Sequence, residues 1–345
     1  MSSTTEVSTL INTEEIVQDI LNSIDRERER EIIARRFGLF DRKETLEQIG
    51  ELLGITRERV RQLEKVVVTK LRDSSVDLPH IADIEKLLLS TIESEGESAR
   101  VTALSSKLTA ENTRTDQSRI AFLTELCPGV SVIDEDDNYY QSAGNGTVHD
   151  TAKMKKEVTA IVEAVKKAGK PVEVKEMAKV TGLSSDKYAV ALANTSKQLA
   201  TLNGRCGLIK WPTVNPKNIR DKIYVILSEN TKPMHFNEIA EAIKASDFKR
   251  KDVTTQAIHN ELIKDKRFVL IGRGIYALKE WGYSKGTVAD IISEVLKEAG
   301  EPLHRDEIVK RVLKSRFVKE TTILLNLQSK AQFKRVAKAT YDLAK

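Results

Sequence analysis

Cysteine is nearly absent from this chain. Cys127 and Cys206 are the only two, far apart and without partners at metal-like spacing, which excludes a disulfide framework and a zinc site. The five histidines, His80, His149, His235, His259 and His304, are scattered one per segment and assemble no metal or nucleophile set. No apolar run approaches the roughly 20 residues needed to span a bilayer, and no basic-then-apolar leader is present. The expectation is a soluble, cytoplasmic protein with no membrane partner. Phosphate loops are missing too: GNG at 144–146 lies in a polar stretch, and GRG at 272–274 has no helix and lysine after it. Acidic neighbours such as Asp136 and Asp137 would face opposite ways on a strand, so they make no acid–base dyad. These absences argue against an enzyme; no catalytic residue, cofactor or metal is expected.

Charge of one sign is scarce only locally. The net charge is +5, yet residues 1–25 hold five acids and no base, summing to −5. Residues 26–72 sum to +4, residues 73–152 to −10, residues 153–216 to +7 and residues 217–345 to +9. An acidic island therefore separates a basic module from a basic C-terminal half, and such asymmetry implies segments with different partners. The basic segments suit a DNA backbone, where each lysine or arginine contact releases counterions. The acidic island does not.

What the chain does have is concentrated in ETLEQIGELLGITRERVRQLEKVVVTKLR, residues 44–72. Leu46, Ile49, Leu52 and Leu53 recur at helical spacing, and Gly54 then supplies a turn residue free of Cβ strain. Thr56 is placed to cap a second helix, whose Val60, Leu63, Val67 and Leu71 form one buried face. Arg57, Glu58, Arg61 and Gln62 project from the other side of its first two turns. Arginine pairs bidentately with guanine, glutamine with adenine, and glutamate accepts from cytosine, so this mixture suits base readout better than a plain lysine patch. A solvated amphipathic helix laced with salt bridges is the alternative; the tight turn and the crowding of polar groups at the helix start favour DNA.

The run REREREIIARRFGLFDRKETLEQIGELLGITRERVRQLE resembles region 4 of the sigma-70 class of bacterial transcription initiation factors, over about Arg26 to Arg72. In that family the domain reads the −35 promoter element and packs on the flap of the RNA polymerase β subunit. The resemblance implies base-reading and adjacent phosphate roles for Arg57, Glu58, Arg61 and Gln62, and backbone contacts for Thr56 and Arg59, with Lys65, Arg42 and Lys43 completing the phosphate-facing set. Family members usually carry basic residues near Val66 and Thr69; here Val66-Val67-Val68 is apolar, which suggests packing against another part of the chain. No aromatic-rich helices for melting a −10 element precede Asp25, so promoter opening by this chain alone is not expected.

The remainder repeats. GKPVEVKEMAKVTGL from Gly169, TKPMHFNEIAEAIKA from Thr231 and GEPLHRDEIVKRVLK from Gly300 share a proline, a short extended stretch and an amphipathic helix; GESARVTALSSKLTA from Gly96 is a weaker copy. Each copy ends in a paired extended segment: VSVIDEDDNYYQS, ATLNGRCGLIKWP, RFVLIGRGIYALKEW and FKRVAKATYDLAK. Helix, strand, helix, helix and hairpin is the order of a winged helix, with Gly272-Arg273-Gly274 fitting a wing tip. Tyr139, Tyr140, Tyr276, Tyr341 and Trp281 fall at the terminal strand, where an aromatic closes a small core in preference to stacking on single strands. Residues 217–283 are similar to the HARE-HTH domain, which occurs in the delta subunit of bacterial RNA polymerase, in some restriction enzymes and in chromatin proteins.

The fold expected is mainly α with small β-hairpins, an N-terminal helix-turn-helix followed by tandem winged helices. Its segments are an acidic tail and short helix (1–24), the helix-turn-helix (25–73), an acidic winged-helix-like unit (79–140), a polar linker (141–152), and further units over 153–213, 216–283 and 285–345. In the third winged unit Lys249, Arg250, Lys251, Gln256, Asn260 and Arg273 are candidate DNA contacts, with Lys266 and Arg267 flanking the wing; Arg316, Lys319, Lys334, Arg335 and Lys338 are comparable in the fourth. The function expected is sequence-specific binding of double-stranded DNA in transcription, in the bacterial nucleoid: the helix-turn-helix reads a promoter-like site, docks on RNA polymerase through the β-subunit flap, or both. A non-catalytic protein adaptor and the DNA-specificity component of a restriction or defence system are the alternatives.

Overall fold

The computed structural model describes residues 10–248, 250–283, 286–316 and 318–344. The chain divides into two compact units, one ending at Lys210 and the other starting at Trp211. No helix among the described residues is long and apolar enough to cross a membrane.

The first unit opens with four helices, α1 (Thr13–Asn22), α2 (Glu27–Phe37), α3 (Leu46–Leu53) and α4 (Arg57–Asp73). Local chemistry explains their ends. Asn12 caps α1, Gly38 ends α2 in the left-handed region, and Thr45 forms a reciprocal capping box with Gln48 at the start of α3. Then follow α5 (Ile81–Glu95), β1 (Ser98–Arg100), α6 (Val101–Leu108), α7 (Arg114–Leu126), β2 (Val130–Ile133) and β3 (Ser142–Asn145). The same order returns with α8 (Thr151–Ala168), β4 (Val172–Glu173), α9 (Met177–Thr181), α10 (Asp186–Thr195), β5 (Leu199–Leu202) and β6 (Arg205–Leu208). Each set closes a three-stranded antiparallel sheet in which the last strand lies between the other two.

Residues 141–152, expected to be a linker, are not one. Ser142 to Asn145 form the buried central strand of the first sheet, with Ala143 opposite Ala99 on one side and Val132 on the other. The glycine in it has a packing role: a Cβ on Gly144 would come 2.6 Å from the sulfur of Met154 on α8. Consequently Tyr139 and Tyr140 do not close the core of this sheet. They sit in the loop before β3, Tyr139 bridging to Ser196 and Tyr140 lying 3.8 Å beneath the Arg100 guanidinium.

The helix-turn-helix and the acidic unit after it share one core. Val17, Ile20, Ile33, Val67 and Leu71 from α1, α2 and α4 belong to the same buried cluster as Leu88, Leu104, Ile120 and Phe122. α7 is the lid: Phe122 is fully buried and meets Phe37 edge to face at 4.9 Å. Arg119, itself buried, donates to the Leu39 carbonyl at 2.8 Å and to Glu14 at 2.6 Å, while Arg72 reaches Glu125 at 2.6 Å. Of the three valines expected to pack, Val67 is buried and Val68 lies against this core, but Val66 is 63% exposed.

His149 closes the junction to α8. It is buried, stacks on Tyr188 at 4.6 Å, and shares the Tyr188 hydroxyl (3.1 Å from Nδ1) with Glu157. Burial, with Lys153 nearby, holds its pKa below the ordinary histidine value. The folded state thus favours neutral imidazole, and stability falls as pH drops below about 6.5, where the unfolded chain takes up the proton first. Urea unfolding of the first unit is expected to show a larger loss of midpoint between about pH 7 and pH 5.5 for wild type than for His149→Gln. Equal losses in the two proteins would refute this assignment.

The second unit repeats the order twice: α11 (Ile219–Asn230), β7 (Met234–His235), α12 (Phe236–Ala245), α13 (Thr255–Lys264), β8 (Phe268–Leu270), β9 (Ile275–Leu278), then α14 (Val288–Ala299), β10 (Leu303–His304), α15 (Arg305–Ser315), α16 (Glu320–Ser329), β11 (Phe333–Ala337) and β12 (Thr340–Leu343). Its sheets have the same strand order as those of the first unit. Tyr276 and Tyr341 are buried in their respective cores, as the sequence reading expects.

Candidate nucleic-acid interface

α3 and α4 are held at a tight angle by a core of three fully buried side chains, Ile32, Ile49 and Val60. Gly50 permits the approach, since a Cβ there would lie 2.7 Å from the Ile55 carbonyl oxygen. Gly54 then takes φ +64° and ends α3, a conformation that strains residues with a Cβ. Thr56 caps α4 by accepting from the Arg59 amide at 3.2 Å. The first two turns of α4 are left exposed apart from the buried Val60.

Thr56, Arg57, Glu58, Arg59, Arg61 and Gln62 are all exposed there. They form a surface network: Arg61 donates to Glu58 at 2.9 and 2.7 Å, Gln62 to Glu58 at 3.4 Å, and Arg59 to Gln62 at 3.4 Å. The Arg61 guanidinium holds the Glu58 carboxyl below the usual carboxylate range, and Glu58 in turn raises Arg61. Exposed pairs of this kind are worth little to stability and exchange readily for a ligand. Arg57 makes no side-chain bond among the described residues. One guanidinium therefore carries no hydrogen bond, and one carboxylate, one amide and two guanidinia are loosely linked at the exposed start of the helix. That arrangement can present donors and acceptors to base edges.

Behind this tip, Lys43 and Lys65 line one crevice with Arg36 and Arg61. Desolvation in the crevice and the Arg36 charge lower the Lys43 pKa, opposed by Glu135 and Asp134. Arg42 is exposed on the same loop but is not part of that lining. Asp134 and Glu135, which the sequence marks only as part of an acidic, protein-facing or spacer unit, are brought by the fold to this crevice from about ninety residues away. Sequence reasoning missed that Arg36 is tied to Glu64 at 3.1 Å.

In the second unit, Lys249 lies outside the described residues. Arg250 has φ +55°, and its carbonyl accepts from Lys222 at 2.8 Å while its side chain is exposed. Lys251 reaches back to the Ser246 carbonyl at 3.2 Å. Gln256 and Asn260 are exposed one turn apart on α13 and bonded to each other at 3.1 Å, and Arg273 is exposed at the tip between β8 and β9. Two other suggested cations are already engaged. Arg267 pairs with Asp265 at 2.7 Å and Asp221 at 3.3 Å, and Arg316 is buried with a bond to the Leu270 carbonyl at 3.1 Å. Burial pushes the Cys127 thiol up to about 12 and that of Cys206 to about 11, so neither forms a thiolate near neutral pH.

The exposed helix start and its capped turn lie within a stretch that matches a known family. Residues 26–73 match the family Sigma-70, region 4. The chain is 45% identical over 62 residues to an RNA polymerase sigma factor SigA from Bacillus sp, a match covering 18% of this chain and 16% of that protein. The chain thus spans about a sixth of the length of this curated relative.

Proposed function

We propose that this protein is a non-catalytic, transcription-associated reader of double-stranded DNA, with its region 4-like segment entering the major groove through the first two turns of α4. Arg57, Glu58, Arg61 and Gln62 contact base edges; Thr56, Arg59, Lys65, Arg42 and Lys43 contact the backbone. One observation carries this reading: the polar tip of α4 is open, whereas the apolar rear of α1, α2 and α4 is closed by α7 through Phe122 and Arg119. The large apolar groups left exposed on the segment, Phe40, Leu52 and Val66, are isolated in sequence. DNA is favoured over docking as the primary role, with the RNA polymerase flap as a secondary partner by similarity to a sigma factor.

Each helix–strand–helix–helix–hairpin set, with its third strand central, is proposed as a winged helix, the third resembling HARE-HTH. In that unit Gln256, Asn260 and Arg273 form a second DNA-facing set.

Selection of bound sequences from a random duplex library by the full chain tests the reading. A short enriched motif is expected, with mismatches costing about 1–3 kcal/mol each. Recovery of no motif, together with capture of a polymerase subunit or a nuclease, would replace it with the adaptor or defence reading.

A further inference from the structure

The loop of residues 134–137, Asp-Glu-Asp-Asp, is exposed along its whole length, and it is held in place. Asp136 accepts from the Asn138 and Tyr139 amides at 2.7 and 2.9 Å, so the turn is closed internally. The Asn138 carbonyl accepts from the Lys197 amide at 2.7 Å, Gln198 bonds the Asn138 side chain at 3.1 Å, and Glu135 pairs with Lys197 at 2.8 Å. The loop is thereby clamped by the segment between α10 and β5. So fixed, it forms part of a crevice of about 610 Å³ whose other contributions include Arg36, Lys43, Arg61 and Lys65 of the helix-turn-helix. Lys43 and Lys65 form no ion pair among the described residues, and neither do Asp134 and Asp137. Two unpaired cations and a rigid anionic loop therefore border one crevice on the flank of the base-reading helix.

A phosphate backbone approaching Lys43 and Lys65 must approach Asp134 and Glu135 as well. The repulsion is felt by any duplex, whatever its sequence, because phosphates carry no sequence information. Base contacts at the tip of α4, by contrast, depend on sequence. We propose that the 134–137 loop is a built-in electrostatic filter: it suppresses the backbone-driven binding of generic duplex DNA and so makes binding depend on base contacts. The inference rests on the DNA-reading function proposed above.

The test uses the full chain with Asp134→Asn, Glu135→Gln and Asp137→Asn combined. Asp136 is kept because it closes the turn, and glutamine at 135 retains an acceptor for Lys197. Affinity for a generic duplex of about 20 base pairs is measured by fluorescence anisotropy across salt, with thermal unfolding recorded to establish that the variant is folded. The variant is expected to bind about five- to tenfold more tightly at roughly 50 mM salt, the gain fading above roughly 300 mM as screening shortens the reach of the loop. Its salt slope on generic duplex is expected to steepen by about one to two, since Lys43 and Lys65, which in wild type reach phosphates only when base contacts hold the duplex, then engage them without that help. Asp134→Lys alone serves as a second variant and is expected to shift affinity in the same direction. Unchanged or weaker generic binding in both variants, with wild type still binding its selected duplex, overturns the filter alone. If no duplex is bound by wild type or variants, the filter and the DNA reading fall together.

Discussion

Phe122→Ala is expected to lower the opening free energy of α3–α4 and of the β1–β3–β2 sheet together, by about 3–5 kcal/mol in each. The two regions were expected from composition to be separate bodies, one basic and one acidic. Phe122 is fully buried and sits against Phe37 of α2. Removing its ring leaves a cavity among side chains from both regions. The helix-turn-helix has little to fall back on, because its private core is Ile32, Ile49 and Val60 with four partly buried neighbours. Burying a core residue contributes about 1.5–3 kcal/mol, and three of them do not offset the entropy of ordering nearly fifty residues at about 1–2 kcal/mol each. Hydrogen exchange on the full chain checks this directly. Parallel loss of protection in residues 46–73 and 98–145 is expected; retained protection in 46–73 would show that α7 is not its lid.

The difference between what was legible in the sequence and what was not has physical causes. α3, the turn and α4 were readable because each depends on neighbours in sequence: the apolar spacing, Gly54 at positive φ, and the Thr56 cap. Three of the four repeated sets were readable through a proline (Pro171, Pro233, Pro302) and the first, with Ser98 in its place, through its paired extended segments. α7 was not recognisable as a lid, because Ile120, Ala121, Phe122 and Leu123 are all buried in succession. A helix covered on every side has no polar face, so one-sided periodicity fails to flag it. The strand Ser142–Asn145 was hidden for a related reason: it is buried throughout, so it shows no alternation, and its Gly144, which reads as a turn residue, packs against Met154. The juxtaposition of Asp134 and Glu135 with Lys43 is a tertiary product that no local pattern carries. The valine run shows the limit of composition as a guide: Val67 and Val68 pack inward as their apolar character suggests, while Val66 faces outward.

The larger functional effect is expected at the tip of α4. Arg57 is exposed and unengaged, and Gln62 is held only by weak surface bonds at 3.4 Å, so both are available to bases at little cost. Neither touches the core, so their loss should leave folding intact. Each bidentate base contact is worth about 1–3 kcal/mol of discrimination. The pair together should therefore weaken binding to a selected duplex by at least about 30-fold, on a scale of tenfold per roughly 1.4 kcal/mol. Generic duplex should be affected far less, by about the loss of one phosphate-facing charge.

The most direct measurement is the ratio of selected-duplex to generic-duplex affinity for wild type and for Arg57→Ala with Gln62→Ala, at one fixed salt concentration. The account predicts that the ratio falls towards one in the double variant while its unfolding midpoint stays at the wild-type value. A ratio unchanged from wild type would mean that the exposed end of this helix does not read DNA.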